Sequence, residues 1–304
     1  MKTLSAPEIA SLSLHHSYME LQVQVGQTKH RINLLEKWDI PEGSKVLEVG
    51  CGQGDCTAVL AEAVGPTGHV TGVDPAPLTY GSPYNLGQAQ AHLSAGRLGS
   101  RITWVQADPL DFLSSISEPY DVAVLAHSLW YFSSPVLIRD TLRLLARKAK
   151  KVCIAEWSLS YTTAEAGAHV LAALTQAALE CHKTTTTSNV RTVVSPKAIQ
   201  RLAGVAGLEV IEEGLVTPDE DMYDGKWEVD AVLDPGFIKQ VNDFIKDEKE
   251  RSVVMANRDA VEATYNRCKQ EGKKIASMDA WWGVFKGGVC KGRRISVYFS
   301  CISP

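Results

Sequence analysis

The stretch from Lys45 to Thr57 constrains this chain more than any other. Val46, Leu47 and Val49 read as a buried strand, which breaks into glycine at alternate positions, Gly50, Gly52 and Gly54. Val59, Leu60 and Val64 then carry helical spacing. A strand that passes through glycine into a helix is the opening of a βαβ unit, with a turn that lets the backbone approach a ligand closely. Such a unit needs a mainly parallel sheet with helices on both faces. Glu48 stands two residues ahead of the first glycine. The third glycine falls one residue early for the G-x-G-x-x-G fingerprint of nicotinamide enzymes.

The rest of the chain repeats this alternation. Strands are expected at 69–74, 102–108, 120–126 and 151–157, with helices at about 86–98 and around the leucines at 137, 142, 144 and 145. Residues 5–37 read as one helical stretch, and Pro75 to Gly87 as a loop rich in Pro, Gly and Tyr. A helix around 164–181 and another opened by Ser195-Pro196 precede a sixth strand at 208–212. Phe237 to Lys273 suggests one or two charged helices, Ala280 to Phe285 a late strand, and Arg293 to Ser300 an edge strand. The expected fold class is α/β, a doubly wound, mainly parallel seven-stranded sheet with an N-terminal helical cap and a late helical insertion. By segment this gives a cap over 1–40, a Rossmann-like core over 41–213, a helical insertion or lid over 214–276 and final sheet strands over 277–304.

Composition narrows the function classes. A net charge of −4, with no basic run beyond Arg147 to Lys151, argues against a sequence-independent hold on nucleic acid. That run reads as a solvated helix end. Seven cysteines without a C-x-x-C pair argue for reduced thiols rather than a disulfide framework or a zinc site. No apolar run reaches membrane-spanning length and the N-terminus lacks a signal pattern, so a cytoplasmic protein without membrane partners is expected.

Four landmarks now fall in order at the ends of four successive strands: Glu48 to Gly54, Asp74, Asp108, and Asp121 to Ala126. Together they resemble the class I S-adenosylmethionine-dependent methyltransferases of small-molecule type, over about residues 46–157. The resemblance implies S-adenosyl-L-methionine as cofactor and no metal. It implies that Glu48, Gly50, Cys51, Gly52 and Gly54 form the loop against the methionine part. Asp74, 20 residues after Gly54 and next to Pro75, would accept both ribose hydroxyls. Asp108 would accept the adenine amino group, with Ala107 beside the base. Ala126 and His127 would face the transferring methyl. Plainer readings stand beside these: Asp74 as a helix cap, and Asp108, ahead of Pro109, as a turn former.

His127 is the candidate general base, its side chain titrating in the useful range; a structural histidine at a strand end is the other reading. Trp130 and Tyr131 either wall the acceptor pocket or pack the next helix. Trp157 is expected to line that pocket. Since small-molecule members often lay their N-terminal helix over the cofactor, Tyr18, Gln22 and His30 are candidate lid residues. No Asn/Asp-Pro-Pro-Tyr/Phe follows the fourth strand, and the fifth ends in Ala155-Glu156-Trp157 rather than Asp-Asn. Nucleobase, glutamine and magnesium-dependent catechol-type acceptors are therefore disfavoured, leaving a small, partly apolar one. The competing readings are a cofactor-binding protein without methyl transfer (pericyclase-like or regulatory), a protein or RNA methyltransferase, and a nicotinamide dehydrogenase.

Overall fold

The computed structural model describes residues 4–184, 186 and 188–287. Its sheet has seven strands: β1 (Lys45–Val49), β2 (His69–Asp74), β3 (Ile102–Gln106), β4 (Tyr120–Ala126), β5 (Ala149–Trp157), β6 (Leu208–Val216) and β7 (Ala280–Gly287), in the order β3-β2-β1-β4-β5-β7-β6. The first five pair in parallel, while β7 inserts antiparallel to both β5 and β6. Strand order reverses between β1 and β4. In open α/β sheets that switch point opens a crevice at the C-terminal strand ends, the usual place for a ligand.

Eleven α-helices fall within the described residues. They are α1 (Ala6–Ala10), α2 (Tyr18–Trp38), α3 (Asp55–Ala63), α4 (Leu86–Ala95), α5 (Pro109–Ser115), α6 (Pro135–Lys148), α7 (Gly167–Glu180), α8 (Pro196–Ala206), α9 (Asp224–Leu233), α10 (Pro235–Phe244) and α11 (Glu248–Gln270). Two clusters built from the central strands hold them to the sheet. Leu47, Val49, Leu125 and Ile154 pack with Leu113 of α5, Ile138 and Leu142 of α6 and Ile199 of α8. Val46, Val70 and Val124 pack with Leu34 and Leu35 of α2 and Val59 and Leu60 of α3. A third cluster joins Ala168 and Ala172 of α7 to Val229 and Val232 of α9, Val241 of α10 and Val254 and Val261 of α11.

Several expectations change in detail. The N-terminal helical stretch is two helices, because the Ser17 hydroxyl caps α2 by accepting from the Glu20 N–H at 3.2 Å. The charged segment after Phe237 forms two helices, α10 and α11, within the one or two expected, capped by Asp234 and Asp247; α9 precedes them from Asp224. Helix α5 was not foreseen: seven residues are too few to show a period, and Asp108 begins it. The basic run is not merely solvated, since Lys151 Nζ donates to the Trp38 and Asp39 carbonyls at 2.8 and 2.7 Å and caps α2. The strand expected over Arg293–Ser300 lies outside the described residues.

Helix α2 meets the segment before α9 at Gly26, where an added Cβ would sit 2.3 Å from the Asp221 carbonyl oxygen. Lys29 pairs with Asp219 at 3.0 Å one turn further along α2. Gly→Ala inside a helix ordinarily gains up to ~1 kcal/mol. Here the clash with backbone outweighs it, because overpacking costs about 1–3 kcal/mol. Gly26→Ala is therefore expected to lower the unfolding midpoint in a thermal scan; a raised midpoint would show that α2 and this segment are not pressed together.

Candidate active site

The C-terminal ends of β1, β2, β4 and β5 are tied into one edge. After β1 the chain turns through Gly50 and Gly52 at φ +80° and +50°. A Cβ on Gly50 would stand 2.5 Å from the Ser128 Cβ, so glycine is what lets the loop after β4 approach. Ser128 then donates through its hydroxyl to the Val49 carbonyl at 2.9 Å. A Cβ on Gly52 would meet nothing within 4 Å: the backbone there faces open space.

Asp74 closes the other side of the turn. Its Oδ2 accepts from the Gly52 N–H and its Oδ1 from the Ala76 N–H, both at 2.9 Å. The half-buried carboxylate has about four acceptor positions, so each oxygen keeps capacity for a further donor. This fits a nucleoside diol beside the glycine turn. Asp108 is exposed and uses Oδ1 to cap α5, accepting from the Leu110 and Asp111 amides at 2.8 and 3.4 Å. Its Oδ2 has no partner among the described residues. Ala107 is half-buried and Pro75 exposed on the same rim.

Glu48 and Cys51 lie under the turn. Glu48 is 2% exposed and accepts from the Thr57 hydroxyl, and Cys51 packs against Gly72. Both side chains are buried, Cys51 to 6% exposure, so at Glu48 and Cys51 neither side chain is open to a ligand in solvent. Burial is the main reason the Glu48 carboxyl is pushed up to about 8, against hydrogen bonds from Thr57 and Cys56 that favour the charged form.

Past β4 the backbone of His127 takes φ +53°, a left-handed conformation uncommon for a side-chain-bearing residue, while its N–H donates to the Ala155 carbonyl at 2.9 Å. The ring reaches His30 of α2, with Nε2 to Nε2 at 2.8 Å. Its Nδ1 lies 3.6 Å from Oε1 of Glu156. Trp157 packs on the His127 ring at a centroid distance of 4.4 Å, stacks with His30 at 5.9 Å and meets the His169 ring of α7 at 5.0 Å. Burial pushes His169 down to about 3 and His30 well below the ordinary imidazole range.

Of the expected acceptor-pocket residues, the structure gathers Trp157 with His127 and His30. Trp130 is 3% exposed and its indole donates to the Val194 carbonyl at 3.2 Å, so it packs the core rather than walling a pocket. Tyr131 is 44% exposed. Tyr18 is 72% exposed at the start of α2, away from the histidine cluster, and Gln22 is also exposed. Two residues of the cluster were not among the candidate site residues of the sequence. Glu156 is 1% exposed and its Oε2 accepts from the Leu129 and Trp130 amides at 3.0 and 3.2 Å, holding the loop after β4. A lone acid closing the apolar run Val152 to Trp157 was the signal for it. His169, whose Nδ1 accepts from the Met278 N–H at 3.0 Å, left no such mark.

The raised Glu48 value has a sign that can be checked. Between 4.5 and about 8 the unfolded chain ionises this group while the folded chain keeps its proton. Its stabilising contribution is thus complete below 4.5 and lost as pH rises through about 8. Differential scanning calorimetry across that range is expected to show a smaller fall in stability for Glu48→Gln than for the wild type; parallel curves would contradict the buried neutral acid.

Comparison with known proteins agrees with this geometry. A family model for methyltransferase domains matches residues 46–151. The chain is 29% identical to the methyltransferase phomM' of Diaporthe leptostromiformis, over 88% of this chain and 86% of the relative. A cyclopropane-fatty-acyl-phospholipid synthase-like protein from Lactobacillus casei superposes with a TM-score of 0.79 at 32% identity, covering 92% of this chain and 98% of that one. The [4+2]-cyclase SpnF shares the fold at a TM-score of 0.50 and 16% identity, over 85% of this chain and 80% of that one. With the crevice at the β1/β4 switch point, the glycine turn and the acid ending β2 all in place, this chain belongs to the class I S-adenosylmethionine-dependent methyltransferases.

Proposed function

We propose that the chain binds S-adenosyl-L-methionine across the C-terminal ends of β1 to β3 and methylates a small-molecule acceptor. The observation that carries this reading is the open space over Gly52, flanked by an Asp74 carboxylate with acceptor capacity to spare. Asp74 would hold the ribose diol, the Gly50–Gly54 backbone the methionine part, and the free Oδ2 of Asp108 with Ala107 the base. When bound, the cofactor supplies a methyl on a sulfonium whose sulfur takes the bonding electrons as it leaves. The residues orient the acceptor, exclude water and receive its proton where the nucleophile starts protonated; orientation alone is worth about 7–11 kcal/mol of a barrier.

A small acceptor is supported by the helical cover. Gln27 of α2 donates to Asp224 of α9 at 2.5 Å, and Lys29 pairs with Asp219, so α2 is fastened to the late segment beside the histidine cluster. The buried rings of His30, His127 and Trp157 are consistent with a compact, partly apolar acceptor rather than a polymer laid across a groove. A demethylmenaquinone methyltransferase of Staphylococcus aureus, 35% identical over 65 residues (20% of this chain and 27% of that protein), supports the same reading. Among the described residues no helix is long and apolar enough to cross a membrane.

Incubation with S-adenosylmethionine and a panel of small acceptors is expected to release S-adenosylhomocysteine. Cofactor binding without release across the panel would favour a non-transferring protein. Asp74→Ala is expected to weaken cofactor binding at least tenfold by calorimetry, about 1.4 kcal/mol or more for a lost two-point acceptor. Unchanged affinity would contradict the ribose assignment.

A further inference from the structure

His127 is hydrogen-bonded only through Nε2; its buried Nδ1 has no hydrogen-bond partner among the described residues and has a carboxylate as its charged neighbour. Nε2 faces His30 Nε2 at 2.8 Å and Nδ1 faces the Glu156 carboxylate at 3.6 Å. Glu156 is itself fixed: Oε2 accepts two backbone amides and Oε1 accepts the Trp157 N–H at 3.0 Å. A neutral imidazole carries one N–H. The carboxylate opposite Nδ1 selects the tautomer with that proton on Nδ1, leaving a lone pair on His127 Nε2. The proton between the rings therefore belongs to His30 Nε2, and the remaining lone pair of the chain is on His30 Nδ1. That atom is buried and has no hydrogen-bond partner among the described residues.

We propose that His30 is a catalytic residue, the outer end of a proton relay His30–His127–Glu156 that receives the acceptor's proton at His30 Nδ1. The proposal rests on the methyltransferase reading and deepens it. As the acceptor's lone pair takes the methyl, its proton passes to His30 Nδ1; His30 gives its Nε2 proton to His127 Nε2; His127 keeps its Nδ1 proton toward Glu156. One proton enters, and the charge comes to rest on His127 beside the carboxylate, while His30 ends neutral with its proton moved from Nε2 to Nδ1. The surroundings favour this division. Burial, then the positive charges of His127 and Arg31, disfavour a cation on His30. From α7, His169 accepts from the Met278 N–H and contributes no carboxylate or cation; from β5, Trp157 packs on both rings. Among the described residues no group of three or more His, Cys, Asp and Glu is placed to hold a metal ion.

The relay is read directly by two-bond proton–nitrogen correlations of the full-length chain labelled with nitrogen-15, assigned with His30→Gln and His127→Gln. With both rings neutral, the expected protons are on His127 Nδ1 and His30 Nε2. On acidification His127 is expected to gain its second N–H in the same step in which the His30 proton moves from Nε2 to Nδ1. A His127 proton on Nε2, or a His30 proton that stays on Nε2 throughout, would overturn the relay. His30→Gln can still donate to His127 Nε2 but cannot pass a proton. Its turnover is expected to fall at least about tenfold, with cofactor affinity within about twofold of wild type; wild-type turnover would overturn the catalytic role. Absence of S-adenosylhomocysteine from the wild-type chain would count against the methyltransferase reading alone, because the tautomers are read without cofactor or acceptor.

Discussion

Two buried or half-buried carboxylates hold the working edge of this sheet by accepting backbone N–H groups. Asp74 takes the Gly52 and Ala76 amides and so fastens the end of β2 to the glycine turn after β1. Glu156 takes the Leu129, Trp130 and Trp157 amides and so fastens the end of β5 to the loop after β4. Amide donors left unpaired at buried strand ends cost roughly 1–3 kcal/mol each, so these acids stabilise the loops as well as orient them. Ser128 links the two halves through the Val49 carbonyl. The crevice is shaped by these bonds, and the left-handed turn of His127 is one place where backbone strain is held by them.

Function follows from which side of each acid is left open. Asp74 spends one lone pair on each oxygen and keeps acceptor capacity beside the glycine turn. Glu156 spends its backbone bonds first and turns Oε1 toward an imidazole. One acid is therefore suited to hold hydroxyl donors and the other to settle a histidine tautomer. Helix α2 completes the second arrangement. It delivers His30 to His127, and through Gln27 and Lys29 it is fastened to the segment leading into α9. Motion of that helix would change the access of an acceptor and the state of the ring pair together.

The parts of this architecture that depend on short-range pattern are legible in the sequence. Alternate glycines after an apolar strand, an acid 20 residues beyond Gly54 and the strand–helix alternation carry the fold and the turn at its switch point. What depends on distant partners is not. Trp130 looked as suited to a pocket wall as to a core until its indole met Val194, 64 residues away. His30 and His127 are 97 residues apart and meet only once α2 is laid against the sheet. Asp108 was placed at a strand end, yet β3 stops at Gln106 and the acid caps a helix too short to show periodicity. Glu48 is part of a resemblance, but its side chain supports the turn from below, which no spacing rule distinguishes from facing a ligand.

The central claim is that the glycine turn and Asp74 together cradle a nucleoside at the switch point of the sheet. A crystal structure of the chain grown with S-adenosylhomocysteine tests it most directly. The account predicts density over Gly52, both ribose hydroxyls on the Asp74 carboxylate and the sulfur directed toward the loop that carries His127. An empty crevice, or a nucleoside bound with its hydroxyls away from Asp74, would contradict it.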